Sequence, residues 1–262
     1  MLVRAAEGRV HELARRRKSL ETMAREVGAV PSLRASLADA KRRGRVAVIA
    51  EIKRASPSRG DVNADIDSAA QAALFAKGGA AAISVLTEPD SFRGCPEDLL
   101  RAREVVSLPL LKKDFHIEPI QALEAKALGA SAMLLIARAL GPQGLQTMAA
   151  AARDEGIEFL VEVRDEAELE WALAIDALII GVNNRNLETL VIDAKAGERI
   201  IPLIPSDRTA IAESGIRDVA DARAAAALGA DAILVGSSLS AAADPAAAVA
   251  SLAAVRRVGR GG

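Results

Sequence analysis

Glu51 and Lys53 lie two residues apart in Val48–Gly60 (VIAEIKRASPSRG), where an apolar run gives way to a polar loop. On a strand that spacing turns both side chains to the same face. Opposite charges on one face of a buried strand are costly unless they are paired or put to chemical use. The same residue types recur where later apolar runs end: Ser84, Lys112-Lys113-Asp114-Phe115, Glu162, Asn183-Asn184-Arg185, Glu213-Ser214-Gly215 and Gly236-Ser237-Ser238. Lys53, Lys113 and Arg185 bring positive charge, and Glu51, Glu162 and Glu213 bring negative. A lysine beside carboxylates in a partly dry cavity is suited to proton transfer, so the chemistry read here is acid/base chemistry without a metal.

The elements that carry these groups follow a rhythm. Strands are predicted at Val46–Ile52, Ala81–Leu86, Leu108–Lys112, Ala132–Ile136, Ile157–Val163, Ala177–Val182, Thr209–Ala212 and Ala232–Val235. Helices are predicted between and after them at Ile66–Lys77, Pro96–Val106, Pro119–Leu128, Pro142–Glu155, Asp165–Ala174, about 194–201, Asp218–Leu228 and Pro245–Val255. The junctions repeat as Gly79-Ala80-Ala81-Ala82-Ile83, Gly129-Ala130-Ser131-Ala132-Met133 and Gly229-Ala230-Asp231-Ala232-Ile233, each a helix-ending glycine before a buried strand. Strands alternating with helices imply a parallel sheet. Eight such units in 262 residues favour one closed (β/α)8 barrel, which takes about 250 residues, over an open doubly wound sheet. Ahead of it, residues 1–45 read as a helical extension: one amphipathic helix over 2–27, broken by Gly28 and Pro31, and a short helix over 33–42 ending at Gly44. No Pro-, Gly- and Ser-rich linker divides the chain, so residues 1–262 are expected to form a single domain.

In such barrels the site lies at the C-terminal ends of the strands, where the polar residues above fall. Ser214-Gly215 after strand seven and Gly236-Ser237 after strand eight offer backbone N–H groups and hydroxyls at the usual phosphate position of the fold, and Ser56 can close it from the loop after strand one. His116 with Glu118 makes no ligand cluster and His11 lies in the extension, so no metal is expected. No dinucleotide fingerprint, P-loop or Gly-x-Ser-x-Gly elbow is present.

Composition narrows the classes. With 51% hydrophobic and 26% charged residues the chain has material for a full core. Lys and Arg total 34 against 35 Asp and Glu, a net charge of −1, so no nucleic-acid partner is expected. Arg15-Arg16-Arg17-Lys18 reads as a solvated helix face, and Lys41-Arg42-Arg43 as the charged C-terminal turn of the short helix, where cations suit the helix dipole. A single cysteine, Cys95, precludes a disulfide within the chain. Residues 1–18 lack the apolar core of a secretory signal and no run approaches the ~18 apolar residues of a membrane span, so no membrane association and a cytoplasmic location are expected.

Seven segments resemble those of the indole-3-glycerol phosphate synthases of tryptophan biosynthesis: Ile49–Gly60, Ser84–Gly94, Lys113-Asp114-Phe115, Leu160–Val163, Ile180–Leu190, Ala212–Ile216 and Val235–Leu239. They run in order and cover nearly every strand end. The resemblance implies closure of 1-(2-carboxyphenylamino)-1-deoxyribulose 5-phosphate onto its ketone carbon, with loss of carbon dioxide and water and no cofactor. It implies Lys113 as general acid. Lys53 would hold the substrate carboxylate and stand as a candidate proton donor in dehydration. Glu162 would act in acid/base steps and stabilise positive charge on the anilino nitrogen, with Glu51 supporting dehydration. Which carboxylate takes the final proton stays open. Asn183 would orient hydroxyls, and Arg185, Glu213 and Ser214 would line the site. Ser56, Gly215, Gly236 and Ser237 would bind phosphate. Phe92, Phe115, Leu134, Leu187 and Leu234 would form the apolar wall for the anthranilate ring.

Four features depart from the family pattern: a single aromatic in Asp90–Pro96, the Cys95-Pro96 pair, no capping glycine in Ala174-Ile175-Asp176-Ala177, and His116 after Asp-Phe. Association with other enzymes of the pathway is compatible with the resemblance. Two other readings share its features: a phosphate-binding barrel isomerase, which would use a Cys or Asp acid/base pair, and a catalytically silent barrel scaffold, which should have lost some of Lys53, Lys113 and Glu162.

Overall fold

The computed structural model describes residues 2–57, 60–185, 193 and 195–260, with residues 2–7 by their backbone course. Eight parallel strands, β1 (Ala47–Ile52), β2 (Ala82–Leu86), β3 (Leu110–Lys113), β4 (Ala132–Ile136), β5 (Glu158–Val163), β6 (Ile179–Asn183), β7 (Thr209–Glu213) and β8 (Ala232–Val235), pair with their chain neighbours and close into a barrel. β1 makes the closure: Ile49 pairs with Ala82 on one side and Ala47 with Ala232 on the other. A helix follows each strand, at Ser68–Lys77, Pro96–Val105, Ile120–Ala127, Ala137–Asp154, Glu166–Ala174, Lys195–Ile200, Val219–Ala227 and Pro245–Ala253. The (β/α)8 architecture expected from the alternation is the one observed.

Two cores result from the period of two along each strand. Val48, Ala50, Ile83, Val85, Met133, Leu135, Val161 and Ile180 face outward and pack under the surrounding helices. Ala47, Ile49, Ala82, Leu111, Ala132, Leu134, Leu160, Ile179, Ile211, Ala232 and Leu234 face inward and fill the barrel. The inward rows then change character. One step beyond Ile49, Ala82, Leu111, Leu160 and Ile211, in the same parity, stand Glu51, Ser84, Lys113, Glu162 and Glu213. Apolar packing therefore floors a polar chamber at the C-terminal ends of the strands.

Three helices precede the barrel: α1 (Leu2–Arg15), α2 (Arg17–Glu26) and α3 (Leu33–Arg42). The single helix expected over 2–27 is interrupted at Arg16, whose backbone (φ −94°, ψ 4°) leaves the helical region. The break lets Leu13 of α1 and Leu20 and Ala24 of α2 both meet Ile120, Leu123 and Ala127. α3 begins at the Ser32 cap, whose side chain accepts from Ala35 N–H, and its Leu33, Leu37 and Ala40 join the inner core.

Most element ends agree with the expectations to within three residues. The helix expected from Pro142 begins instead at Ala137, because a further turn precedes a break at Gly141 (φ 63°, ψ 176°). A four-residue helix, Pro89–Phe92, and a small hairpin pairing Ala55–Ser56 with Gly60–Asp61 were not expected. At the junction that lacks a capping glycine, Asp176 itself takes the left-handed conformation (φ 55°). A short polar side chain tolerates that region, and the Asp176 carboxylate meets Arg208 at 2.7 Å.

Candidate active site

Strand register brings the polar side chains together. Glu51 pairs with Ser84 across β1 and β2, Glu162 with Gly181 across β5 and β6, and Asn183 with Glu213 across β6 and β7. Around them opens a cavity of about 640 Å³. Every expected site residue that is described lines it: Glu51, Lys53, Ser56, Phe92, Lys113, Phe115, Leu134, Glu162, Asn183, Arg185, Glu213, Ser214, Gly215, Leu234, Gly236 and Ser237. Leu187 lies outside the described residues.

Two lysine–carboxylate groups face this space. Lys113 Nζ stands 3.3 Å from Glu162 Oε2 and 3.7 Å from Glu213 Oε2. Asn183 Nδ2 donates to the other Glu162 oxygen at 2.9 Å, and Asn183 Oδ1 accepts from the Arg185 backbone N–H at 2.9 Å. Glu162 is thus oriented from two sides. Just past the end of β1, Lys53 places its Nζ 3.4 Å from Glu51 Oε1 and 5.3 Å from the centre of the Phe92 ring. Ser84 Oγ donates to Glu51 Oε2 at 3.4 Å.

Burial opposes the Lys113 charge, but Glu162, Glu213 and Glu51 outweigh it and hold the ammonium above its ordinary pKa. Lys113 therefore carries its proton throughout the neutral range. Burial pushes the Glu213 carboxyl up to about 8; Lys113 opposes the rise, and Glu162 and Glu51 add to it. Glu213 Oε1 is buried and has no hydrogen-bond partner among the described residues. A carboxyl that holds a proton near neutrality, beside a loaded ammonium, gives the chamber a donor and an exchangeable acceptor.

Two glycines make room for these carboxylates. A Cβ on Gly181 would sit 1.9 Å from Glu213 Oε1, and one on Gly236 would sit 2.3 Å from Glu51 Oε1. Gly181→Ala is expected to push the Glu213 carboxylate away from Lys113 and lower kcat by about 10²-fold, the usual cost of misplacing a catalytic group by an ångström. Steady-state kinetics on a variant shown to be folded checks it.

At the far side of the cavity, Ser214 and Gly215 both adopt left-handed backbone (φ 62° and 86°), which turns the chain sharply after β7. Ser237–Ser240 forms a short helix after Gly236. Ser238 Oγ donates to Ile216 O at 3.1 Å and so ties the two loops together. Ser56 lines the same cavity from the β1 loop, and its buried Oγ has no partner among the described residues.

Phe92 and Phe115 stand with ring centroids 6.3 Å apart at 47°, joined by Leu134 and Leu234 in the apolar part of the lining. Two supporting residues near strand ends have no role assigned from the sequence. Glu88 accepts from the N–H groups of Asp90, Ser91 and Phe92 and so fixes the Phe92 turn. Asn184 donates to Ser214 O at 3.2 Å and accepts from Gly197 N–H at 2.9 Å, linking the ends of β6 and β7 to the helix Lys195–Ile200. The Glu88-Pro89 pair is a helix-start signal that could have revealed the first.

Comparison with known proteins identifies the family. A family model described as "Indole-3-glycerol phosphate synthase" matches residues 2–252. The chain is 45% identical over 230 residues to the indole-3-glycerol phosphate synthase of Parafrankia sp., covering 88% of this chain and 85% of that one. It is 42% identical over 196 residues to the protein of the same name from Azospirillum brasilense, covering 75% of each chain. Among solved structures, thiamine phosphate pyrophosphorylase from Pyrococcus furiosus superposes with a TM-score of 0.60 at 18% identity, over 80% of this chain and 95% of that one, a likeness of fold alone.

Proposed function

The chain belongs to the indole-3-glycerol phosphate synthase family, and from that premise we propose how its residues divide the reaction. Its activity is that of a carbon–carbon lyase of tryptophan biosynthesis, acting on a phosphorylated small molecule. In 1-(2-carboxyphenylamino)-1-deoxyribulose 5-phosphate the ring carbon bearing the carboxylate attacks the ketone carbon, and the ketone oxygen takes a proton. Lys113, charged and aimed into the cavity, is the donor. The attack leaves positive charge on the anilino nitrogen, which Glu162 stabilises. Loss of carbon dioxide returns the bonding electrons to the ring and restores aromaticity. The new hydroxyl then leaves as water, assisted by Lys53 and Glu51, and a proton is lost to form the indole. Before decarboxylation Lys53 holds the substrate carboxylate.

The observation that carries the reading is the Lys113 ammonium held between Glu162 and Glu213 across the chamber from the Lys53–Glu51 pair. Asn183 and Arg185 orient the substrate, and Ser56, Gly215, Gly236 and Ser237 receive its phosphate. Ser237→Asp is expected to raise KM by about tenfold or more with little change in kcat, since like charges brought together cost several kcal/mol. A wild-type KM in that variant would remove Ser237 from the phosphate site.

The direct test mixes the purified protein with the carboxyphenylamino-deoxyribulose phosphate and a chelator and follows indole fluorescence. Growth of the signal is the expected result. No growth despite binding of a substrate analogue would favour a silent scaffold. Among the described residues no helix is long and apolar enough to cross a membrane. The proposal carries a cytoplasmic location and association with other tryptophan-pathway enzymes, which fractionation and co-purification would test.

A further inference from the structure

Behind the catalytic strand end lies a second group of buried charges that the reaction does not use. Lys112 and Lys113 are neighbours on β3, so their side chains leave opposite faces of the sheet. Lys113 enters the cavity, and Lys112, fully buried, points to the helix Ile120–Ala127. Its ammonium meets Asp114 Oδ2 at 3.1 Å, Glu124 Oε2 at 3.1 Å and His116 Nε2 at 3.3 Å. Asp114 also receives Arg9 of α1 through both oxygens, at 2.7 and 2.8 Å, along with Thr87 Oγ1 at 2.7 Å and Phe115 N–H at 2.8 Å. His116 Nδ1 lies 2.7 Å from the carbonyl of Leu134 on β4.

These partners fix the imidazole. A carbonyl can only accept, so Nδ1 carries the hydrogen; an ammonium can only donate, so Nε2 is the acceptor. Burial pushes His116 down to about 3, the Lys112 and Arg9 charges push the same way, and Asp114 and the Leu134 carbonyl oppose them without reversing the shift. A neutral ring of one tautomer thus spans from the β3 lysine to the β4 backbone. Phe115 and Leu134, which it ties together, are two members of the apolar wall.

We propose that His116 is a positioning residue: it sets the gap between the ends of β3 and β4, and through it the seating of the substrate's aromatic ring between Phe115 and Leu134. The proposal rests on the wall assignment made above. It concerns the ring end of the cavity and leaves the phosphate end, at β7 and β8, untouched.

His116→Leu removes both bonds. KM for the substrate is expected to rise about five- to tenfold while kcat changes less than about threefold, the signature of lost ground-state seating. Competitive inhibition by inorganic phosphate is expected to stay at its wild-type constant. His116→Asn places an amide N–H where Nδ1 was, keeps the bond to Leu134 O, and is expected to recover most of the KM change. A wild-type KM in His116→Leu overturns the proposal. So does a parallel rise in KM and in the phosphate inhibition constant, which would mean that His116 merely supports the barrel. Should His116→Leu not fold, His116→Asn against His116→Gln carries the test, because glutamine reaches the Nε2 position and loses the Leu134 bond; equal KM values would overturn the proposal. Phe115→Ala is measured alongside. A wild-type KM there sinks the wall assignment and this inference with it, whereas a raised KM there beside wild-type His116→Leu sinks the inference alone. In the wild-type protein, ¹⁵N shifts of the imidazole should report the Nδ1–H tautomer from pH 5 to 9; titration in that range, or the other tautomer, also overturns it.

Discussion

Replacing Lys113 by methionine is expected to lower kcat by about 10²- to 10⁴-fold, the range contributed by a positioned general acid. The argument rests on what each alternative at this position can do. The ammonium lies 3.3 Å from Glu162 and 3.7 Å from Glu213, and those carboxylates keep it charged. Methionine keeps the stem and removes both proton and charge. Arginine keeps the charge but does not release a proton near neutrality. Lys113→Arg is therefore expected to hold substrate near the wild-type KM and still to lose most of kcat. Wild-type turnover in Lys113→Arg would reduce the role of this residue to electrostatics, and wild-type turnover in Lys113→Met would refute the acid assignment. The methionine variant has a second readout. Without the ammonium, which opposes the rise of the Glu213 pKa, Glu213 retains its proton to higher pH, because burial and the neighbouring negative charge resist its ionisation. A folded state that binds more protons than the unfolded chain loses stability as pH rises. The melting temperature of Lys113→Met should therefore fall more steeply between pH 6 and 9 than that of the wild-type protein.

What was legible in the sequence and what was not follow from the range of the interactions. The barrel was legible because its signals are local: glycines such as Gly129 and Gly229 end helices in left-handed turns, and apolar runs of strand length follow. The chemical set was legible because one parity of each strand turns from apolar to polar at its end, so Glu51, Lys113, Glu162 and Glu213 converge whenever a barrel closes. Asp176 shows the limit of a local rule, since an aspartate paired with Arg208 takes the place of the missing glycine. The supporting groups were not legible. Asp114 finds Arg9 across 105 positions and His116 finds Leu134 across 18. Neither spacing marks a pattern until α1 docks and β4 lies beside β3. Lys112 and Lys113 share a strand end, and only the register separates their faces: Lys113 turns into the cavity and Lys112 outward.

Asp231→Asn is expected to cost about 3 kcal/mol of stability, the low end for breaking a buried ion pair, while leaving kcat and KM at 25 °C unchanged. Asp231 immediately precedes β8, at the end of the barrel opposite the cavity, and its side chain is fully buried. Three cations converge on it: Lys41 of α3 at 3.4 Å, Arg257 at 2.5 Å and Arg260 at 2.9 Å. Its Oδ2 also accepts from Ala210 N–H of β7 at 3.0 Å. One carboxylate thus fastens the helix that plugs the barrel floor and the chain after the last helix to β7 and β8. Asparagine preserves the shape and removes the charge, so the cations face one another around a neutral amide. Lys41 keeps about a third of its side chain in solvent, which limits its share of the cost. Burial raises the Asp231 pKa, but the Ala210 amide and the two arginines outweigh it, so the folded value lies below the ordinary one. For a depressed carboxyl the stabilisation is present above the unfolded pKa of ~3.9 and is lost as pH falls through the folded value. Urea midpoints should therefore separate wild type from Asp231→Asn at pH 7 and converge as pH drops below about 4. Coincident midpoints at pH 7 would show that the arginines find equivalent partners without the carboxylate. A changed KM at 25 °C would show that the floor of the barrel reaches the chamber above it.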